Sequence, residues 1–98
     1  MPDKSTLVAA MERVFGDDQR RIDHALSVLD HAKALLVDHA ADRDTVVAAA
    51  ILHDIGIHEA ERKHGSPTGK WQEVEGPPIA RRILSELGAD AAFAEAVC

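Results

Sequence analysis

Tyrosine is missing from this 98-residue sequence, and Phe15, Trp71 and Phe93 are its only aromatic side chains besides histidine. A core of stacked rings is therefore excluded. Packing has to come from Leu, Ile, Val and abundant Ala, and Ala and Leu favour helices. A single cysteine, Cys98, rules out an internal disulfide and fits a reducing compartment. No long apolar run occurs: the longest, residues 46–52, falls well short of the ~20 residues that span a bilayer. Nothing apolar follows Met1, so no secretory leader is expected and a cytoplasmic location follows. Basic residues are scarce, 11 Lys and Arg against 17 Asp and Glu, giving a net charge of -6. That balance makes nucleic acid an unlikely partner and disfavours an anionic membrane, both of which call for a basic surface. A small phosphorylated ligand stays open, because a local cationic cluster or a metal can serve it. The sequence also lacks internal repeats, strand-like alternation and any Gly-rich phosphate loop.

What is present is helical spacing in a chain long enough for one domain, residues 1–98. Leu7, Val8, Met11, Val14 and Phe15 predict a first helix stopped by Gly16. Asp17 or Asp18 caps a second, from about residue 18 to residue 40, with Ile22, Ala25, Leu26, Leu29, Ala32, Leu36 and Ala40 on one stripe. Asp42 or Asp44 caps a third, residues 45–54, apolar on nearly all sides and hence central. Gly56 is expected to close it in the left-handed conformation. Residues 57–76 mix charge with glycine and proline and predict a short helical turn at 59–63, then a long loop, with Trp71 as its anchor on the core. The charges at Glu59 to Lys63 suit a solvated face. Pro77 or Pro78 is expected to open a fourth helix that ends at Gly88, and Asp90 a fifth. The fold class is all-α, a compact bundle of about five helices.

The third helix ends in "AAAILHDIG", an imidazole and a carboxylate side by side after the most hydrophobic segment. An acid at a helix C-terminus opposes the macrodipole, and buried polar groups without partners are costly. A shared divalent cation removes both objections, and imidazole with carboxylate suits Mn, Fe, Co, Ni or Zn. His53 and Asp54 would need a third ligand from the second helix, where His24, His31 and His39 are available.

Taken together, "RIDHALSVLDHAKAL" and "AAAILHDIGI" resemble the HD-domain superfamily of metal-dependent phosphohydrolases. The rest, "IHEAERKHGS" through "EGPPIA", is similar to a subgroup of small bacterial and archaeal HD proteins. The family's H-x-x-x-V-x-x-x-A pattern falls on His24, Val28 and Ala32, and its His-Asp pair on His53 and Asp54. The resemblance implies that these three hold a divalent metal (Mn, Fe, Ni, Co, Zn or Mg). It gives His31 and His39 no role. The metal would orient a phosphomonoester, phosphodiester or nucleotide and bring the pKa of water toward ~7. Lys63, Arg62, Lys70, Arg20 and Arg21 are candidates for phosphate contact. Asp54, with His58, Glu59, Glu61 or Glu73, is a candidate for catalytic proton transfer or a second metal.

The family's final Asp ligand has no counterpart up to Cys98. The chain is therefore expected to be a partial HD domain lacking the C-terminal helices. The alternative function is a catalytically inactive, shortened module acting in metal binding or oligomerisation. Ile79, Ile83, Leu84, Leu87, Phe93 and Val97 should then be partly uncovered, and a homo-oligomer would follow.

Overall fold

A computed structural model describes residues 3–36, 43–66 and 68–98, and the described residues form six helices and no strand. The first is α1, Lys4–Phe15. Asp3 caps it, its carboxylate accepting from the Ser5 N–H, and Gly16, at φ 62°, ends it by donating to the Glu12 carbonyl. The second is α2, Gln19–Leu36, started by Asp18, which accepts from the Arg21 N–H. The expected continuation of α2 to residue 40, like His39 and the capping choice of Asp42, lies outside the described residues. The third is α3, Arg43–Leu52, which begins and ends two residues earlier than its apolar run suggests.

Helix α3 packs against α1, α2 and α6 (Ala91–Val97). Its Ala48, Ile51 and Leu52 meet Leu7, Met11 and Phe15 of α1 and Ile22, Ala25 and Leu29 of α2 in one buried cluster. Each large aliphatic side chain buried there contributes about 1.5–3 kcal/mol, and the alanines let the helices approach closely. Asp90 caps α6, its carboxylate accepting from the Phe93 N–H, and Phe93 closes the core from that end.

The region 57–76 departs from the sequence expectation. A full helix, α4, spans Ile57–His64, and α5 runs from Gly69 through both prolines to Glu86. Helix α4 thus ends at His64 and α5 already starts at Gly69, in place of a long loop. Pro77 and Pro78 do not open α5; they sit inside it. Each removes one N–H from the helical ladder, which leaves the carbonyls of Glu73 and Val74 without that donor. Both residues are exposed, so solvent can serve those carbonyls.

Contacts with α4 hold the upstream half of α5 in place. His64 and Trp71 stack with ring centroids 3.8 Å apart and planes 8° from parallel. Glu75 takes His64 Nε2 at 3.0 Å on one oxygen and Lys63 Nζ at 3.1 Å on the other. Trp71 is thus a helix-to-helix stacking residue, not a loop anchor. The charges of α4 are engaged as well: Glu59 pairs with both Arg62 and Lys63.

Gly56 also differs from expectation. Its φ is -88°, so no left-handed turn requires glycine there. The requirement is space: a Cβ at Gly56 would lie 2.6 Å from the backbone nitrogen of Gly76 and 2.7 Å from its Cα. The bare Cα of Gly56 thereby lets the start of α4 touch the middle of α5 at Gly76.

Of the six apolar residues expected to be partly uncovered, three are buried and three keep part of their surface exposed. Ile83, Leu84 and Phe93 are buried, while Ile79, Leu87 and Val97 pack partly buried against the core. Among the described residues the exposed large hydrophobic is Val74. Half of the apolar set that argued for a homo-oligomer is therefore taken up within the chain, and Ile79, Leu87 and Val97 stay partly exposed. No described helix is long and apolar enough to cross a membrane.

Candidate metal centre

The turn after α3 explains why a histidine and an aspartate stand in an apolar segment. Leu52 and Ile55 are both buried, as is Ile57 at the start of α4. The Ile55 N–H bonds to the Leu52 carbonyl and the Ile57 N–H to the Asp54 carbonyl. These bonds and the three buried aliphatics pin the turn to the core. His53 and Asp54, lying between the anchors, are turned out of the core. His53 is exposed and Asp54 half-buried.

The His53 ring is fixed by its own helix. Its Nδ1 lies 2.8 Å from the Ala50 carbonyl. A carbonyl only accepts, so Nδ1 carries a hydrogen and donates. The end of α3 has unpaired carbonyls to offer, and one of them selects the tautomer. In the neutral ring, Nε2 is then left with a lone pair.

That lone pair faces Asp54 Oδ2 at 3.0 Å, and His24 Nε2, from the middle of α2, lies 3.3 Å from the same oxygen. The rings of His24 and His53 have centroids 5.4 Å apart. One ligand atom from each of the three residues lies within 4.8 Å of the others. Two acceptors at hydrogen-bond distance repel unless a proton or a metal cation lies between them. Two imidazole nitrogens converging with one carboxylate oxygen are the donor set that divalent transition ions take. The bond from His53 Nδ1–H to a backbone carbonyl is the outer support that metal-bound histidines use. The residues present therefore fit a metal.

A family model described as HD domain matches residues 21–98. The chain belongs to the HD-domain family. No curated protein and no solved structure matches it. HD domains bind divalent metals and act on phosphorylated substrates, and His24, His53 and Asp54, the positions singled out by the family pattern, are the ones drawn together here.

Beside His53 and Asp54 lies a cleft of about 370 Å³, floored by Ala49, Leu52 and Ala80 and walled by Gly69, Gln72, Glu73 and Pro77 of α5 and by Val97 and Cys98. Partial desolvation pushes the Cys98 thiol above its ordinary pKa, away from the lowered values of activated cysteines. Glu73, one of several acids open to choice from sequence, is the one that lines this HD-domain cleft.

The other candidates lie elsewhere. His58 Nε2 is 2.8 Å from Asp18 Oδ2, and its ring meets Phe15 edge-on. That bond ties the start of α4 to the start of α2, and it holds the Asp18 carboxyl below the usual aspartate range. His58, Glu59 and Lys63 border a different groove, with Ile55, Pro78 and Arg82. Arg62 is held by Glu59, which its guanidinium also keeps below the ordinary glutamate range. Lys70 lies 4.9 Å over the Trp71 ring. Glu61 is exposed on α4. Arg20 is exposed one turn before His24, on the same face of α2. Arg21 lies beside it, its N–H bonded to Asp18. His31, read as an ordinary helix residue, has Nδ1 at 3.0 Å from the Ser27 carbonyl of its own helix.

Sequence reasoning did not find the Ala50 carbonyl, the Gly56–Gly76 approach or the role of Gln72 in the cleft wall. The first was accessible: a histidine just past a helix end is in reach of that helix's last free carbonyls.

Proposed function

We propose that this HD domain is a metal-dependent phosphohydrolase acting on a phosphomonoester, phosphodiester or nucleotide, with His24, His53 and Asp54 as its metal ligands. The observation that carries this reading is the pair of imidazole nitrogens facing one Asp54 oxygen, with the His53 ring oriented by the contact of its Nδ1 with the Ala50 carbonyl. A divalent cation bound there would polarise a phosphoryl oxygen and supply hydroxide near neutral pH.

The chain's own residues divide the remaining work. The Ala50 carbonyl keeps the His53 ring oriented before substrate arrives, so little reorganisation is needed. Ile55 and Ile57 hold the turn, and with it Asp54, against the core. Arg20, on the His24 face of α2, is the cation placed to meet phosphoryl oxygens. His58 acts at a distance: through Asp18 it sets the start of α2, and with it the height of His24. Lys63 serves the α4–α5 contact through Glu75, while Arg62 pairs with Glu59 within α4 and Lys70 lies over Trp71 within α5. A cytoplasmic location, from the single unpaired cysteine, belongs to the same reading.

The test is metal content together with turnover. The purified chain, exchanged into Mn, Co, Ni or Zn, should hold a stoichiometric ion and hydrolyse p-nitrophenyl phosphate or its bis-ester. His53→Ala should abolish both. Stoichiometric metal with no hydrolysis under any of these ions would leave a metal-binding module in place of an enzyme.

A further inference from the structure

The cleft next to His53 and Asp54 has a one-sided electrostatic character. Its charged side chains are the carboxylates of Asp54 and Glu73, and none of the eleven Lys and Arg residues of the sequence lines it. The cations nearest in sequence are committed elsewhere: Lys70 over Trp71, Lys63 to Glu59 and Glu75. If the ion neutralises Asp54, Glu73 remains as an uncompensated negative charge on the wall. The floor is small and apolar, and a volume of about 370 Å³ suits the body of a small ligand.

We propose that this cleft receives the alcohol part of the phosphoester, and that Glu73 makes it select a small amino alcohol over alcohols that carry further negative charge. The inference rests on the phosphohydrolase reading for its placement of the phosphoryl group at the His24, His53 and Asp54 end. The phosphate meets the metal. The ester oxygen points along the wall, and an ammonium group a few bonds away reaches the Glu73 carboxylate. A neutral hydroxyl there is tolerated. A second phosphate or a carboxylate meets the exposed Glu73 with like charge, at a distance where solvent screens the repulsion only in part.

A series of two-carbon phosphate esters that differ chiefly in the charge of the body tests this: phosphoethanolamine (amine), 2-hydroxyethyl phosphate (hydroxyl) and phosphoglycolate (carboxylate). Each is titrated into the isotopically labelled full chain with Mg2+ present, and binding is followed at the backbone amides of Gln72, Glu73 and Val97. The amine ligand should bind about tenfold more tightly than the carboxylate, the factor expected when a unit charge about 6 Å from a water-screened carboxylate changes from repulsive to attractive. The hydroxyl should fall between them. Glu73→Gln should level the series and Glu73→Lys should invert it, with circular dichroism confirming the fold of each variant. Equal or tighter binding of phosphoglycolate, an order unchanged in Glu73→Lys, or no shift at these amides with any of the three would overturn the proposal. Because the readout is binding, it separates from the hydrolytic reading: the predicted order with no turnover of p-nitrophenyl phosphate upholds the cleft assignment and sinks the enzyme.

Discussion

At the α3–α4 turn, two imidazole nitrogens from different helices converge on one oxygen of Asp54. Along α4 and α5, the same chemical groups are distributed otherwise. Asp18 receives one imidazole, His58, on one oxygen and the Arg21 N–H on the other, and Glu75 receives His64 on one oxygen and Lys63 on the other. In these latter pairs each carboxylate oxygen takes one donor. At the turn two imidazoles from different helices share a single Asp54 oxygen, while His53 Nδ1 is on the Ala50 carbonyl. The number of imidazoles per carboxylate oxygen thus separates a cluster with a metal's donor set from braces of one imidazole and one carboxylate. Proximity of His to Asp is common to both and distinguishes nothing.

The sharpest way to break the comparison is to delete one histidine from each cluster. His53→Ala should lower metal affinity more than about 100-fold, beyond the loss typical of an outer-layer partner. His58→Ala and His64→Ala should leave stoichiometric metal in place. Calorimetric titration of the three variants would show it. Equal losses in all three would erase the distinction.

Next in size is a packing effect. Gly56→Ala forces a Cβ into the backbone of Gly76, an overpacking cost of about 2 kcal/mol. A chain of this length would lose about 10 °C in Tm. Gly76→Ala meets Gly56 at only 3.9 Å, an ordinary contact. Its penalty is confined to the crowding a side chain suffers before Pro77, so its Tm should fall less. Thermal melts of the two variants in parallel test the asymmetry.

A smaller effect concerns acid. Asp18, Glu59 and Glu75 are each held below their ordinary pKa by side-chain hydrogen bonds, to His58, to Arg62, and to His64 and Lys63 respectively. Unfolding restores the higher values, so the unfolded chain takes up protons first. The stabilisation is fully present above the ordinary values of 3.8 for Asp18 and 4.5 for the glutamates, and is lost as pH falls through the lowered folded values. Asp18→Asn with Glu75→Gln should flatten the dependence of urea stability on pH below about 4.5. An unaltered slope would mean that the pairs do not persist in solution.

Smallest of all, in the direct binding of metal, is the expected effect of replacing Arg20. Arg20→Ala should leave affinity for the ion intact and raise KM for p-nitrophenyl phosphate. A drop in metal content instead would place Arg20 in the support of His24 and not with substrate.

Much of this architecture was legible in the sequence where apolar spacing coincides with a cap. Helix α1 shows Leu7, Met11 and Phe15 before Gly16, and α6 shows Phe93 three residues after Asp90. The α4–α5 region resisted because its contact is polar: His64 on Trp71 and Glu75 between His64 and Lys63 leave no apolar stripe to read. Gly69, Gly76 and the two prolines meanwhile carry the composition of a loop. Gly56 was misread for a related reason. A glycine serves either a backbone angle or a close approach, and only the position of Gly76 decides which. At the site, the His-Asp pair and His24 stood out by type and spacing. The cleft wall did not, since Gln72 and Glu73 reach it only because α5 begins at Gly69.

The central claim is that three side chains of this HD domain hold one divalent ion, and a crystal grown with Mn2+ tests it most directly through the anomalous signal at the manganese edge. The account predicts one strong peak at bonding distance, ~2.0–2.3 Å, from His24 Nε2, His53 Nε2 and an Asp54 oxygen, with His53 Nδ1 still on the Ala50 carbonyl. A map without a peak there, or with manganese bound only at Asp18 or Glu75, would contradict it.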